Sequence, residues 1–167
     1  LDVVAYFKKW IEDNPNRSIC IGVIVSLNHI IQNISLSSTS ELFKSILPSL
    51  TFSLYTAFPG IMSVKSACDI YQRVISRSDF NTKKPWTELV RSKSQILSTS
   101  ALNSISTIHS CVNSFISNGQ VILVHSYSKI TSSALIHAAN CGKHFSVILT
   151  ESRPDCESYI LAAQLKR

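Results

Sequence analysis

Apolar positions along the first two thirds of the chain recur at helical spacing. Val3, Tyr6, Phe7, Trp10 and Ile11 fall on one face of a helix that the Asn14-Pro15-Asn16 turn ends. A second, more uniformly apolar helix is predicted over 18–33. The stretch 34–38 is polar and serine-rich. Ser38, followed three residues later by Glu41, has the S-x-x-E form of a capping box, placed just ahead of the periodic run Phe43, Ile46, Leu50, Leu54 and Phe58. A third helix therefore starts there, and Pro59-Gly60 breaks it. A fourth helix is predicted over 61–76, then a polar loop over 78–85. A long fifth helix over 86–117 follows, because Leu89, Ile96, Leu97, Ile105, Ile108, Val112, Phe115 and Ile116 recur at intervals of three, four and seven. Asn118-Gly119 is its stop, since glycine takes the left-handed conformation without a side-chain clash.

The period then changes. Val121-Ile122-Leu123-Val124 is a short continuous aliphatic run, the pattern of a parallel strand buried on both faces. A helix over 130–141, a second such strand over 144–150 and a helix over 155–166 complete the reading. Strand, helix, strand, helix is the opening of a doubly wound, Rossmann-like parallel α/β domain. The expected organisation is an all-α domain over 1–118 and the first strand-helix units of an α/β domain over 119–167. Two parallel strands do not make a stable sheet alone, because three or more with covered faces are normally needed. The chain opens at Leu1 rather than Met, and its last residues fall inside a predicted helix. A longer parent chain is expected, carrying the rest of the α/β domain.

With 45% hydrophobic and 16% charged residues in 167, the chain can bury a core. Its longest apolar run, Ile19 to Val25, falls well short of the roughly 20 residues a membrane-spanning helix needs, and no secretory signal opens it, so a cytosolic protein is expected. The five cysteines are widely spaced, with no CxxC pair and no histidine at zinc-ligand spacing, which reads as thiols in a reducing compartment and no metal site. The net charge of +6 comes from scattered Lys and Arg with no basic run and no interleaved aromatics. That disfavours nucleic acid and suits an acidic or phosphorylated protein partner.

In an open α/β sheet, ligands bind beyond the carboxyl ends of the strands, where helix N-termini favour anions. Two loops occupy such places: His125-Ser126-Tyr127-Ser128-Lys129 and Glu151-Ser152-Arg153-Pro154. Ser126, Ser128, Lys129 and Arg153 offer donors to a phosphate, and Glu151 offers an acceptor to hydroxyls. The alternative is purely structural: Ser128 caps a helix, Lys129 and Arg153 are solvated, and Pro154 stops a strand. The first loop has no glycine, so it is neither a dinucleotide fingerprint nor a P-loop, and it is no nucleophile elbow. His125 stands beside Ser126, but neighbours on a strand point to opposite faces, so His125 is read as core packing rather than as a base. None of His29, His109, His137 and His144 is expected to pair with a Ser or Cys by local spacing. On the fourth helix Asp69, Arg73 and Arg77 stand one turn apart, either as a surface ion pair or as a basic grip for an acidic or phosphorylated partner.

The string VILVHSYSKITSSALIHAANCGKHFSVILTESRPD, from Val121 to Asp155, resembles the signature of the family of alpha, beta and delta subunits of initiation factor 2B. Both loops are of the alpha type: His125-Ser126-Tyr127-Ser128-Lys129 against H-A/G-Y-S-R, and Thr150-Glu151-Ser152-Arg153-Pro154 against T-E-S-x-P. The segment from Ser66 to Arg73 is similar to a fungal alpha-type segment, and residues 3–14 to the subunit's first helix. The likeness covers essentially the whole chain and is weak between Ser35 and Phe58.

The resemblance implies a helical N-terminal domain, a Rossmann-like C-terminal domain and a regulatory, non-enzymatic role in a guanine-nucleotide exchange complex. It implies homodimerisation at full length, assembly with beta and delta subunits, and sensing of phosphorylated initiation factor 2 alpha. By the same resemblance Ser38, Glu41 and Arg73 are the candidates for contacting that phosphorylated partner; the capping box remains a sufficient structural reason for the first two. The fold is shared with methylthioribose-1-phosphate and ribose-1,5-bisphosphate isomerases, which supplies the alternative function. Their catalytic cysteine corresponds to Ser126, whose hydroxyl is a far weaker acid than a thiol, so no catalytic residue is assigned. A sugar phosphate bound without turnover would use His125, Ser126, Tyr127, Ser128, Lys129, Glu151, Ser152 and Arg153. Lys129 stands in place of the more usual Arg, keeping the charge but not the bidentate fork.

Overall fold

The computed structural model describes residues 2–35, 38, 41–77 and 85–166. Helix α1 (Val3–Asp13) begins where the Asp2 carboxylate accepts the N–H groups of Val4 and Ala5 at 2.9 and 3.2 Å. These amides have no partner inside the first turn, so the cap stabilises the helix start. Helix α2 (Ile19–Asn33) is apolar nearly all round and correspondingly buried, with Val23, Leu27 and Ile31 fully enclosed. A π-helical turn, Leu42–Ile46, runs directly into α3 (Leu47–Ala57). Pro48, which has no N–H to give, lies where the regular ladder is already interrupted. Helices α4 (Met62–Ser76) and α5 (Trp86–Phe115) follow. Of the expected 78–85 loop, only Pro85 lies within the described residues.

Packing divides the chain into two units, residues 1–102 and 103–167, so the division falls inside α5. In the first unit, Phe7, Leu27, Leu42, Leu54, Tyr71 and Ile75 belong to one core. Each such side chain contributes about 1.5–3 kcal/mol by leaving water. The Phe7 and Phe58 rings meet edge to face, 4.9 Å apart, joining α1 to the end of α3. A polar seam crosses this core. Ser94 Oγ donates to Asn28 Oδ1 at 2.8 Å, so the proton between Tyr71 and Ser94 comes from the phenol. Asn28 Nδ2 donates to Gln95 at 3.1 Å, and Gln32 donates to the Arg91 carbonyl at 2.8 Å. Buried polar groups need partners, and these bonds fix how α5 is rotated against α2.

The second unit is built from the end of α5, β1 (Val121–His125), α6 (Lys129–Asn140), β2 (Ser146–Thr150) and α7 (Ser158–Leu165). The strands are parallel, in the register Val121↔Ser146 to His125↔Thr150. Gly119 takes φ +82° after α5, as its position required, and its N–H donates to the His144 carbonyl at 2.8 Å. Ile122, Val124, Val147 and Leu149 face the helices, packing with Val112, Ile116, Leu135, Ala138 and Leu161.

Three expectations are corrected here. The strands are buried on one face only: Val121, Leu123 and Ile148 are 64%, 69% and 55% exposed. The reason is that the packing helices of this unit all meet the other face, which no aliphatic run can reveal. Strand β2 begins at Ser146 rather than 144, because the His144 N–H turns to the Asn118 side chain at 2.9 Å instead of joining the ladder. Helix α7 begins at Ser158 rather than 155, because Cys156 holds φ +52°, a left-handed conformation that a right-handed helix cannot contain.

Candidate functional site

Because β1 and β2 are adjacent and parallel, their carboxyl ends place the two candidate loops side by side. Both turn by the same device. Ser126 and Ser152, each just past its strand, hold φ +63° and +56°, a conformation that costs a non-glycine residue free energy and that swings the chain sharply toward the following helix. In the first loop, Ser128 caps α6, its Oγ accepting the Thr131 N–H at 3.4 Å. Lys129 is the first residue of α6 and is half-buried. Tyr127 is also half-buried, packs against the second core and accepts a hydrogen bond from Gln164 at 3.4 Å, so its ring anchors the loop to α7. His125 is exposed, which corrects its reading as core packing. Its Nδ1 meets Thr150 Oγ1 at 2.6 Å across the strand pair, because both residues lie on the strand face opposite the one that packs with the helices.

The second loop is organised by a fork. Arg153 Nε and an Nη donate to the two oxygens of Glu151 at 2.8 and 3.0 Å. The pair is solvent-facing, with side chains 77% and 44% exposed. Arg153 holds the Glu151 carboxyl below its usual range, and the carboxylate raises the guanidinium in turn. Tyr159 adds its hydroxyl to Glu151 at 3.4 Å, and Ser152 Oγ donates to the Thr150 carbonyl at 3.3 Å. The acceptor and the cation that sequence assigned to different parts of a ligand thus satisfy each other. An anion entering here must share or break that fork.

In the first unit, Ser38 Oγ accepts the Glu41 N–H at 3.1 Å, so the predicted cap forms ahead of the π turn. Arg73 is exposed on α4 and lines a surface groove of about 490 Å³ with Phe43, Leu47, Pro48, Asp69, Gln72 and Ser76. Glu41 lies two residues before Phe43 in the chain and is not itself among the residues that line the groove. Asp69 is not the ion-pair partner expected for Arg73: its carboxylate accepts the Tyr55 hydroxyl at 3.1 Å. Burial first, and then that bond, push the Tyr55 phenol up to about 12. The tie is tertiary, between α3 and α4, and outcompetes the one-turn spacing on the helix.

The expectation that none of His29, His109, His137 and His144 pairs with a Ser or Cys by local spacing is overturned at His137. His137 Nε2 stands 3.6 Å from Cys141 Sγ, one helical turn away, and His109 Nε2 meets Ser133 Oγ at 3.0 Å. The first pair was legible as H-x-x-x-C on α6; the second was not, since its members are 24 residues apart. Among the described residues no group of three or more His, Cys, Asp or Glu is gathered to hold a metal ion. No helix among them is long and apolar enough to cross a membrane.

Comparison with known proteins gives a consistent picture. A sequence profile of the Initiation factor 2 subunit family matches residues 12–167. Translation initiation factor eIF2B subunit alpha of Dictyostelium discoideum is 32% identical over 170 residues, covering 98% of this chain and 52% of that protein. The Caenorhabditis elegans protein of the same name is 23% identical, over 99% of this chain and 55% of the relative. The chain thus spans about half the length of the curated relatives it matches. Among solved structures, a chain of the tetrameric eIF2B-beta2-delta2 complex from C. thermophilum superposes with a TM-score of 0.69 at 16% identity, covering 99% of this chain and 55% of that one. At that identity the likeness speaks for the fold: a helical domain followed by part of a parallel α/β domain.

Proposed function

Because the chain belongs to the initiation factor 2 subunit family, we propose that it is the alpha-type regulatory part of the initiation factor 2B guanine-nucleotide exchange complex. On this reading it assembles with beta and delta subunits, homodimerises as part of a longer chain, works in the cytosol, and is not itself an enzyme. It responds to phosphorylated initiation factor 2 alpha through the first unit. The observation that carries the last point is Arg73, exposed on the wall of the α3–α4 groove and released from Asp69 by Tyr55. A guanidinium held over a mixed apolar and polar groove suits a phosphorylated loop, which it can grip by two parallel hydrogen bonds. The Ser38–Glu41 cap lies just ahead of the turn that carries Phe43, which lines the same groove.

The test is capture of phosphorylated against unphosphorylated initiation factor 2 alpha by the assembled complex. Arg73→Ala is expected to weaken capture of the phosphorylated form about ten- to hundredfold, the worth of a charged hydrogen bond. Equal capture of both forms by the unaltered complex removes the sensing role.

A second reading, a sugar phosphate bound without turnover at the strand ends, is favoured by the adjacency of the two sharply turned loops. Equilibrium dialysis of the protein against methylthioribose-1-phosphate and ribose-1,5-bisphosphate tests it; ketose product would instead support the isomerase alternative, and no retained ligand of either kind would remove both.

A further inference from the structure

The seam between the C-terminal part of α5 and α6, both inside the second unit, carries a histidine pair that neither reading above uses. His109 on α5 and His137 on α6 stack with ring centroids 4.9 Å apart and planes 20° from parallel. Ser133 Oγ gives its one proton to the Ile130 carbonyl at 2.9 Å, so it accepts from His109 Nε2 at 3.0 Å, which fixes the tautomer of the neutral ring. His137 Nε2 also stands 3.6 Å from Cys141 Sγ. Beside the pair, Ile108 and Val112 of α5 and Ile130 and Ala134 of α6 line an apolar cavity of about 240 Å³.

We propose that the His109–His137 stack is a pH-sensitive clasp, holding α6 against α5 while at least one ring is neutral and loosening that seam when both are protonated. A neutral imidazole stacked on an imidazolium offers its π face to the charge. Two imidazoliums at this separation repel, well inside the screening length of ordinary buffers. The titratable groups at the seam are His109 from α5, His137 from α6 and Cys141 just past the end of α6. Among the described residues no carboxylate is hydrogen-bonded or ion-paired to either ring, so no negative charge there offsets the second proton. Burial first, and His137 second, hold the His109 ring below its ordinary value. The sign follows from proton linkage. The unfolded or opened chain binds more protons than the closed one between the lowered and the ordinary histidine values. The closed seam therefore loses stability as pH falls through that window and regains it above.

The test is a pH 8 to 5 titration of the chain, following the two imidazole Cε1–H signals by NMR together with amide exchange across α6, normalised to intrinsic rates. The rings are expected to titrate in two coupled steps, the later below an ordinary histidine, with α6 protection falling about tenfold or more across the later step. His137→Gln is expected to move His109 upward toward its ordinary value and to make α6 protection independent of pH. If that variant does not fold, His109→Gln examines the same contact from α5. Independent titration of both rings at ordinary values, or unchanged α6 protection through both steps in the unaltered chain, overturns the clasp.

Discussion

Ser94 on α5 donates to the Oδ1 of Asn28 on α2 at 2.8 Å, with both side chains buried. Removing the hydroxyl strands the Tyr71 phenol and one lone pair of Asn28 in a site water does not reach. Ser94→Ala is therefore expected to cost about 1–3 kcal/mol in urea unfolding. Combined with Asn28→Ala it should cost clearly less than the sum, because the two share one network. Simple additivity would show that the seam is not a unit.

Gly22 on α2 lies under the indole of Trp10. A Cβ built there meets two ring carbons at 2.7 and 2.8 Å and the Phe7 ring at 3.0 Å. Gly22→Ala improves helix propensity by a few tenths to about 1 kcal/mol. It overpacks α1 against α2 at a cost of about 1–3 kcal/mol. The net expectation is a lower melting temperature, and a rise would mean that Trp10 moves aside freely.

The Glu151–Arg153 fork is a surface feature, and its prediction concerns titration rather than stability. Glu151 is held below its ordinary value, so whatever it contributes is present above the unfolded carboxylate value and is lost as pH falls through its own. Arg153→Gln should bring the Glu151 carboxyl back up in an NMR titration while leaving the melting temperature at pH 7 unchanged. If the candidate loops bind an anion through Arg153, the same anion should raise the Glu151 titration midpoint in the unaltered protein, since it competes for the guanidinium.

Thiol reactivity should sort by burial. Cys68 is enclosed in the first core, and burial followed by the Asp69 charge pushes its thiol up to about 12. Cys111 and Cys141 are exposed. Brief alkylation at pH 8 followed by mass spectrometry should mark Cys111 and Cys141 and leave Cys68 unmodified until the chain is unfolded. Early modification of Cys68 would mean that the α2–α4 packing opens readily.

Local pattern was enough for the elements themselves. Three-four spacing located α1 to α5; α5 ends at Phe115 rather than at the expected 117, and Gly119, at φ +82°, sits in the turn that follows. The aliphatic runs located β1 and β2, and Ser128 and Ser38 cap where their positions implied. The family resemblance rested on the two strand-end loops, whose motifs are contiguous in the chain, and the comparisons bear it out. H-x-x-x-C on α6 was equally local and should have been read as a contact.

What the sequence by itself determined, then, are the properties that depend on neighbours within a turn or two: helix faces, caps, stops, strand runs and loop motifs. Tertiary structure alone decided which strand face is covered, since Val121, Leu123 and Ile148 look as apolar as their buried neighbours. It gave Asp69 to Tyr55 rather than Arg73, set His125 against Thr150 and stacked His109 on His137. Each of these is a competition among partners for one polar group or one apolar surface. The winner is set by distances that exist only once the helices and strands have packed.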